Sequence, residues 1–171
     1  MSDRFIVVDE NDTIIWYKTK EELDEANDFY RVSALRLTNS KWEILIAQRA
    51  YNKSHNPWIR WPAVAWTVEE WESYEDNIIK ETEEEIWLKD IEIIPWPKFK
   101  KDAIGKNRHF TQVFTAIIDK DISEFIIQED EVAAIKRISA EELRKDITSH
   151  PENYLKSMLE YVEMFSPFTQ D

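Results

Sequence analysis

The sequence predicts an α+β domain, an α/β/α sandwich around a mixed sheet, and three observations carry that reading. Strand-like runs and helical stretches interleave along all 171 residues without strict β-α alternation. The chain is long enough to bury a real core, and 43 % hydrophobic with 13 % aromatic residues favours a globular chain over a disordered one. No internal repeat, low-complexity tract or linker divides it, so residues 1–171 read as a single domain.

Residues 4–8 and 13–17 read as strands around the turn Asp9-Glu10-Asn11-Asp12, an N-terminal hairpin over about 4–17. Asp9, Asn11 and Thr13 have the opening spacing of a calcium loop. That loop needs Gly where Ile14 stands and a bidentate Glu where Lys20 stands, so calcium binding is not expected. Residues 20–27 are expected as a short helix. Residues 30–38 and 43–48 form a strand pair, and Val32, Ala34, Leu35 and Leu37 suggest a strand buried on much of both faces. The connection 50–60 carries Asn52, Lys53, His55, Asn56 and Pro57; its length and polarity suit a binding loop or an ordinary surface loop. Residues 61–65 then run as a short strand into the stretch 66–88.

That stretch, WTVEEWESYEDNIIKETEEEIWL, should be helical in its second half. It passes from a capping-type Ser73 through residues without proline, with Tyr74, Ile78, Ile79 and Ile86 at helical spacing. Glu81, Glu84 and Glu85 then stand at i, i+3 and i+4, so three carboxylates project from one face within one turn. Like charges so placed weaken a helix, and only Lys89, four residues on from Glu85, offsets them. Such a helix is either a solvated acidic face or a site for a hard divalent cation, and its oxygen ligands suit Mg²⁺ or Mn²⁺.

Past the helix, 91–95 and 110–119 read as strands joined by a basic loop with Lys98, Lys100, Lys101, Lys106, Arg108 and His109. That loop is either a contact for a phosphorylated substrate or a solvated charge run. Residues 131–138 are the last strand. Ser139 with Glu142 three residues later marks a helix start. A final amphipathic helix over about 151–165 presents Tyr154, Leu155, Met158, Leu159 and Val162 to the domain.

Stretch 66–88 resembles the Nudix box: Gly, five residues, Glu, seven residues, then Arg-Glu-apolar-any-Glu-Glu-any-Gly-apolar. The corresponding residues are Trp66, Glu72, Lys80, Glu81, Thr82, Glu84, Glu85, Trp87 and Leu88, with every carboxylate in register. The departures are Lys80 for Arg, Thr82 for an apolar residue, and Trp at both glycine positions. The likeness extends to VVDENDTIIWYKTKEE, ALRLTNSKWEILIAQRA and DEVAAIKRISAEEL, over about residues 5–145. These look like a branch holding diphosphate hydrolases and relatives of isopentenyl-diphosphate isomerase.

The resemblance implies a Nudix-like sandwich and an Mg²⁺-dependent hydrolase. Its substrate would be a nucleoside diphosphate linked to another moiety, or a related organic diphosphate, attacked at phosphorus by metal-activated water. By the same resemblance Glu81, Glu84 and Glu85 hold Mg²⁺ or Mn²⁺, and the carbonyl of Ala65 faces the metal. Lys80 takes the place of the Arg that orients carboxylates, as a point charge without the planar fork. Glu72 orients the loop or water, and Glu131 is the candidate for an assisting carboxylate outside the box. Arg49, where strand gives way to loop, is a candidate contact for a substrate phosphate. Two alternatives stay open: a non-catalytic binding protein of this fold, and an isomerase of isopentenyl diphosphate. Cys 0 counts against the isomerase, whose family uses a cysteine and a glutamate for proton transfer.

The composition holds Gly 1 and Trp 8, where ordinary usage near 7 % would give roughly twelve glycines. Trp42 follows Asn39-Ser40-Lys41 between two strands, where a hairpin loop wants a positive φ. Trp58 follows Pro57 at the third position of a type II turn. Trp87 closes the helix where a left-handed cap is commonly Gly. Trp96 lies between two prolines, and Trp66 and Trp71 fall where Nudix boxes have, or often have, glycine. We read most or all eight as glycines in the ancestral protein, through a UGA codon that the source organism reads as glycine and that is translated here as tryptophan. Deliberate substitution and a genuinely Trp-rich core or binding surface are the alternatives.

Lys+Arg 22 against Asp+Glu 35 gives a formal charge of −13, which disfavours a nucleic-acid or anionic-membrane partner. The charged start MSDRF and the lack of a long apolar run argue against a signal peptide or a membrane span, so a cytoplasmic location is the default. The expected partner is a small-molecule diphosphate, with a homodimer left open.

Overall fold

The computed structural model describes residues 4–54, 56–102 and 107–164. The N-terminal Met1-Ser2-Asp3, His55 of the long loop, Lys106 of the basic loop and Phe165 of the last helix lie outside the described residues. In chain order the elements are β1 (Arg4–Val8), β2 (Ile14–Thr19), β3 (Phe29–Thr38), β4 (Ile44–Arg49), β5 (Arg60–Pro62), β6 (Val64–Thr67) and α1 (Tyr74–Ile86). Next come β7 (Ile94–Pro95), β8 (Phe99–Lys101), β9 (Arg108–Ile117), β10 (Val132–Ile138), α2 (Ala140–Ser149) and α3 (Met158–Met164). The chain forms two compact units: 1–35 with 65–81 and 92–115, and 36–64 with 82–91 and 116–171.

In the first unit β1 pairs antiparallel with β2 (Ile6 opposite Tyr17) and with β3 (Val7 opposite Tyr30). β7 and β8 both pair antiparallel with β9, Pro95 opposite Phe114 and Lys100 opposite Phe110. Ile6, Val8, Phe29, Val68 and Phe110 form its buried cluster, with Tyr17 and Tyr74 packed against it. In the second unit β4 lies between β10 and β5, both antiparallel, with Ala47 opposite Ile135 and Trp61. β4 is buried from Ile44 to Ala47, and Leu143, Met158 and Val162 are buried on α2 and α3.

β9 pairs with β3. The rings of Tyr30 and His109 meet at 5.4 Å near the strands' starts, and the Ile118 N–H, just after β9, donates to the carbonyl of Thr38, the last residue of β3, at 2.8 Å. The two contacts advance together along the chain, so β3 and β9 run parallel while the other named pairings are antiparallel. The sheet is mixed and the class α+β.

Both expected caps form. Ser73 Oγ accepts from the Asp76 N–H at 3.0 Å, and the Ser73 N–H donates to Asp76 Oδ2 at 3.1 Å. Ser139 and Glu142 make the reciprocal pair at the start of α2.

Four expectations change. Residues 20–27 are turns, because Asp24 Oδ1 and Asp28 Oδ2 take the N–H groups of Ala26 and Asp24 that a helix would need. The run 61–65 is split into β5 and β6. β7 is two residues long, and β8 follows it as a fully exposed strand. The last helix starts at Met158 rather than at 151. After one turn at 151–153 the backbone of Tyr154 is extended and bridges Arg60, and the Leu155 N–H donates to the Arg60 carbonyl at 2.9 Å. On α3 it is Tyr161 that turns inward, while Leu159 is exposed.

Four tryptophans hold left-handed φ: Trp42 at 62°, Trp58 at 67°, Trp71 at 76° and Trp87 at 50°. Each closes a turn that glycine serves. The Ile59 N–H bonds back to the Asn56 carbonyl at 3.4 Å around Pro57-Trp58, and the Glu72 N–H to the Glu69 carbonyl at 3.2 Å around Glu70-Trp71. The Trp87 N–H reaches the Glu83 carbonyl at 3.0 Å, as in a left-handed helix cap, and the Leu88 N–H reaches the Thr82 carbonyl at 3.4 Å beside it. Trp16, Trp61, Trp66 and Trp96 do not have positive φ, so strain does not mark those positions. None of the eight is buried, which goes against a Trp-rich core.

Candidate active site

α1 runs unbroken from Tyr74 to Ile86, because Ser73 caps its start and Ile78 and Ile86 are fully buried along one face. Ile79 points outward instead. Glu81, Glu84 and Glu85 therefore keep their i, i+3, i+4 spacing. Glu81 is 5 % exposed and Glu85 2 %, whereas Glu84 is exposed.

Within the first unit Lys80 is the organising charge. Its ammonium lies 2.9 Å from Glu69, 2.7 Å from Glu72 and 3.4 Å from Glu81. Partial burial works against that charge, yet the hydrogen bonds to Glu69 and Glu72 and the field of Glu81 prevail, and the ammonium's pKa is raised above its ordinary value. A planar guanidinium would grip one carboxylate with two prongs; the point charge gathers three separate ones. Glu72 also accepts from the Glu69 N–H at 3.1 Å and from Asn77 Nδ2 at 2.8 Å. With three donors on its carboxylate, Glu72 fastens the loop before α1. Ala65 lies on β6, which enters that loop.

In the second unit Glu84 lines a cavity of about 350 Å³ with Glu83, Trp87, Lys89 and Gln128. Lys89 pairs with Glu83 rather than offsetting Glu85, its ammonium 5.9 Å over the Trp87 ring. The Glu85 carbonyl accepts the Gln128 N–H at 2.9 Å. Arg49 stacks on Trp61 at 4.5 Å. Burial pulls its guanidinium pKa down, against the opposing pull of Glu131 and Glu85, so both carboxylates act on it. Glu131 makes an ion pair with Lys53 of the long loop, a partner the sequence did not announce.

The basic loop is less positive than its composition implies. Lys98 pairs with Asp12, and Lys100 and Arg108 both pair with Asp102. Desolvation, helped by the charge of Lys101, pushes His109 down to about 4, so it is neutral near pH 7. Asp9 turns its carboxylate onto the N–H groups of Asn11 and Thr13 at 2.8 and 2.9 Å, the habit of a turn-former.

The profile of the NUDIX domain family matches residues 29–158. The chain belongs to the NUDIX family. An uncharacterized Nudix hydrolase of Pseudomonas aeruginosa is 28 % identical over 144 residues, covering 84 % of this chain and 83 % of that protein. The crystal structure of DR0079 from Deinococcus radiodurans superposes with a TM-score of 0.81 at 22 % identity, covering 94 % of this chain and 98 % of that one. A Caenorhabditis elegans Ap4A hydrolase superposes at 0.57 with 18 % identity, covering 81 % and 96 %. At those identities the two structures speak for the Nudix fold alone. Family, homologue and fold together are those of a Nudix-type hydrolase.

Proposed function

We propose that this chain is a divalent-metal-dependent hydrolase of a small diphosphate, with a nucleoside diphosphate linked to a second moiety as its leading substrate class. The observation that carries the reading is the placement of Glu81, Glu84 and Glu85 on one capped helix, two of them buried. The C. elegans neighbour named an Ap4A hydrolase supports a nucleotide among the diphosphates. The reading includes a cytoplasmic protein, as monomer or homodimer.

The donor set fits Mg²⁺ or Mn²⁺ by its chemistry, being all carboxylate, and the family pattern adds the Ala65 carbonyl as one more oxygen donor. Among the described residues no three carboxylate or imidazole groups are gathered as a ready-made metal cluster. Glu81 is drawn to Lys80 and Glu84 faces its cavity. When bound, the metal supplies neutralisation of the diphosphate charge and a water of lowered pKa. Lys80 draws the Glu81 carboxylate to 3.4 Å and so orients it, while Glu69 and Glu72 hold Lys80 in turn. Arg49 is the cation for a phosphate oxygen, and Glu131 is the carboxylate that assists the attacking water on release from Lys53.

The test is release of phosphate or monophosphate from a diphosphate panel with and without Mg²⁺, for the chain as it stands and for a form with glycine at all eight Trp positions. Glu84→Gln and Glu85→Gln should each lower turnover by at least about a hundredfold with circular dichroism unchanged. Near-parent turnover by either variant contradicts the assignment. One observation favours a non-catalytic binding protein instead: Trp87 caps the carboxylate helix in a glycine conformation. Metal-stimulated release by either form decides against it.

A further inference from the structure

Asn77 is fully buried on α1, one turn before Glu81. Its Nδ2 donates to Glu72 Oε2 at 2.8 Å and to the Thr67 carbonyl at 3.4 Å. Both neighbours are acceptors, so the amide orientation is fixed by chemistry. Its Oδ1 is buried and accepts no hydrogen bond from any described residue. Asn is a poor choice for such a place, because its side chain competes with the helical backbone and its lone pairs want donors. Ala would suit the helix better and leave nothing polar unsatisfied.

What a better helix former could not supply is read from the two acceptors. Glu72 takes one of its three donors from Asn77, the others being the Glu69 N–H and Lys80. Thr67 ends β6, and along a strand the carbonyls of residues i and i+2 leave on the same side. The edge that Asn77 grips is thus the edge bearing the carbonyl of Ala65. One buried amide ties the strand entering the loop to the carboxylate that fastens the loop, next to the Lys80–Glu81 pair.

We infer that Asn77 is a positioning residue of the site, acting through Glu72 and the β6 edge on the Ala65 carbonyl and on Lys80 with Glu81. The inference rests on the hydrolase reading. Asn77→Ala removes both donations and keeps the helix. With saturating Mg²⁺ its kcat should fall about tenfold or more while KM stays within about threefold. Its affinity for Mn²⁺, read without substrate from the electron paramagnetic resonance of the free ion, should weaken by about three- to tenfold. Its melting temperature should hold within a few degrees, which a merely structural role would not combine with those losses.

Asn77→Asp keeps the shape and sets a second carboxyl against Glu72. The pair shares a proton at low pH and repels once both are charged, so kcat and melting temperature should both fall relative to Asn77→Ala as pH rises. If the parent is active and both variants keep kcat and Mn²⁺ affinity within about twofold, the role of Asn77 is overturned alone. If the parent shows no metal-dependent hydrolysis, the hydrolase reading and the role of Asn77 fall together.

Discussion

Helix α1 and the four turns at Trp42, Trp58, Trp71 and Trp87 put opposite demands on the residues they hold. On α1 the backbone is ordinary and the side chains carry the meaning: Lys80 gathers Glu69, Glu72 and Glu81, and Glu81 and Glu85 are buried. In the turns the conformation carries it; each indole stands exposed while the backbone holds a left-handed φ. Such a φ costs a residue with a Cβ roughly 1–2 kcal/mol. A site defined by carboxylates can thus be read from the letters present, whereas a site defined by a missing side chain is read from the conformation it leaves behind.

Relieving the turns should give the largest effect on stability. Glycine at 42, 58, 71 and 87 removes the strain but restores unfolded-state freedom worth about 0.4–1 kcal/mol each. The net for the four is roughly 2–4 kcal/mol, or about 5–15 °C in melting temperature for a chain of this length. Glycine at 16, 61, 66 and 96 relieves no strain, and at 61 it removes the ring under Arg49. That second set should leave the melting temperature unchanged or lower. Equal gains from both sets would erase the distinction between them.

The side-chain region should respond to pH where the turns do not. His109 keeps its proton off until about pH 4 in the folded chain, against roughly 6.5 when unfolded. The unfolded state therefore binds more protons between those values. Stability is fully present above about pH 6.5 and falls by roughly 1–3 kcal/mol as pH drops through 4. Urea titrations of the parent and of His109→Gln should diverge over that window, while the gain from the four glycines stays flat across it.

The smallest effect belongs to Lys80. Lys80→Gln leaves Glu69, Glu72 and Glu81 without their shared cation and should cost about 1 kcal/mol after solvent screening, partly recovered in high salt. Lys80→Arg should keep most of the stability, since the charge remains. Urea midpoints at low and high salt measure both.

Much of the fold was legible because its signals are local. Ser73 and Ser139 announced their helices through side-chain caps, and Pro57-Trp58 announced a turn through the fixed φ of proline. What was missed depends on contacts distant in sequence. β8 is exposed on every residue and has no alternation to detect, so only its pairing with β9 reveals it. Tyr154 leaves the helical pattern because Arg60, far away in sequence, offers its backbone a partner. In the candidate site the carboxylate spacing was plain, but the Lys53–Glu131 pair and the grip of Asn77 on Glu72 could not be seen from spacing. The sequence left the basic loop open between a substrate contact and a solvated charge run, because composition counts charges without their partners, here Asp12 and Asp102.

The contrast between helix and turns rests on glycine being what the turns require. The most direct measurement is the intact mass of the protein made in its own host, set beside the codon at each Trp position. UGA at these codons and a mass lighter by eight tryptophan-to-glycine differences is the predicted result. UGG codons with a mass matching tryptophan throughout would contradict it.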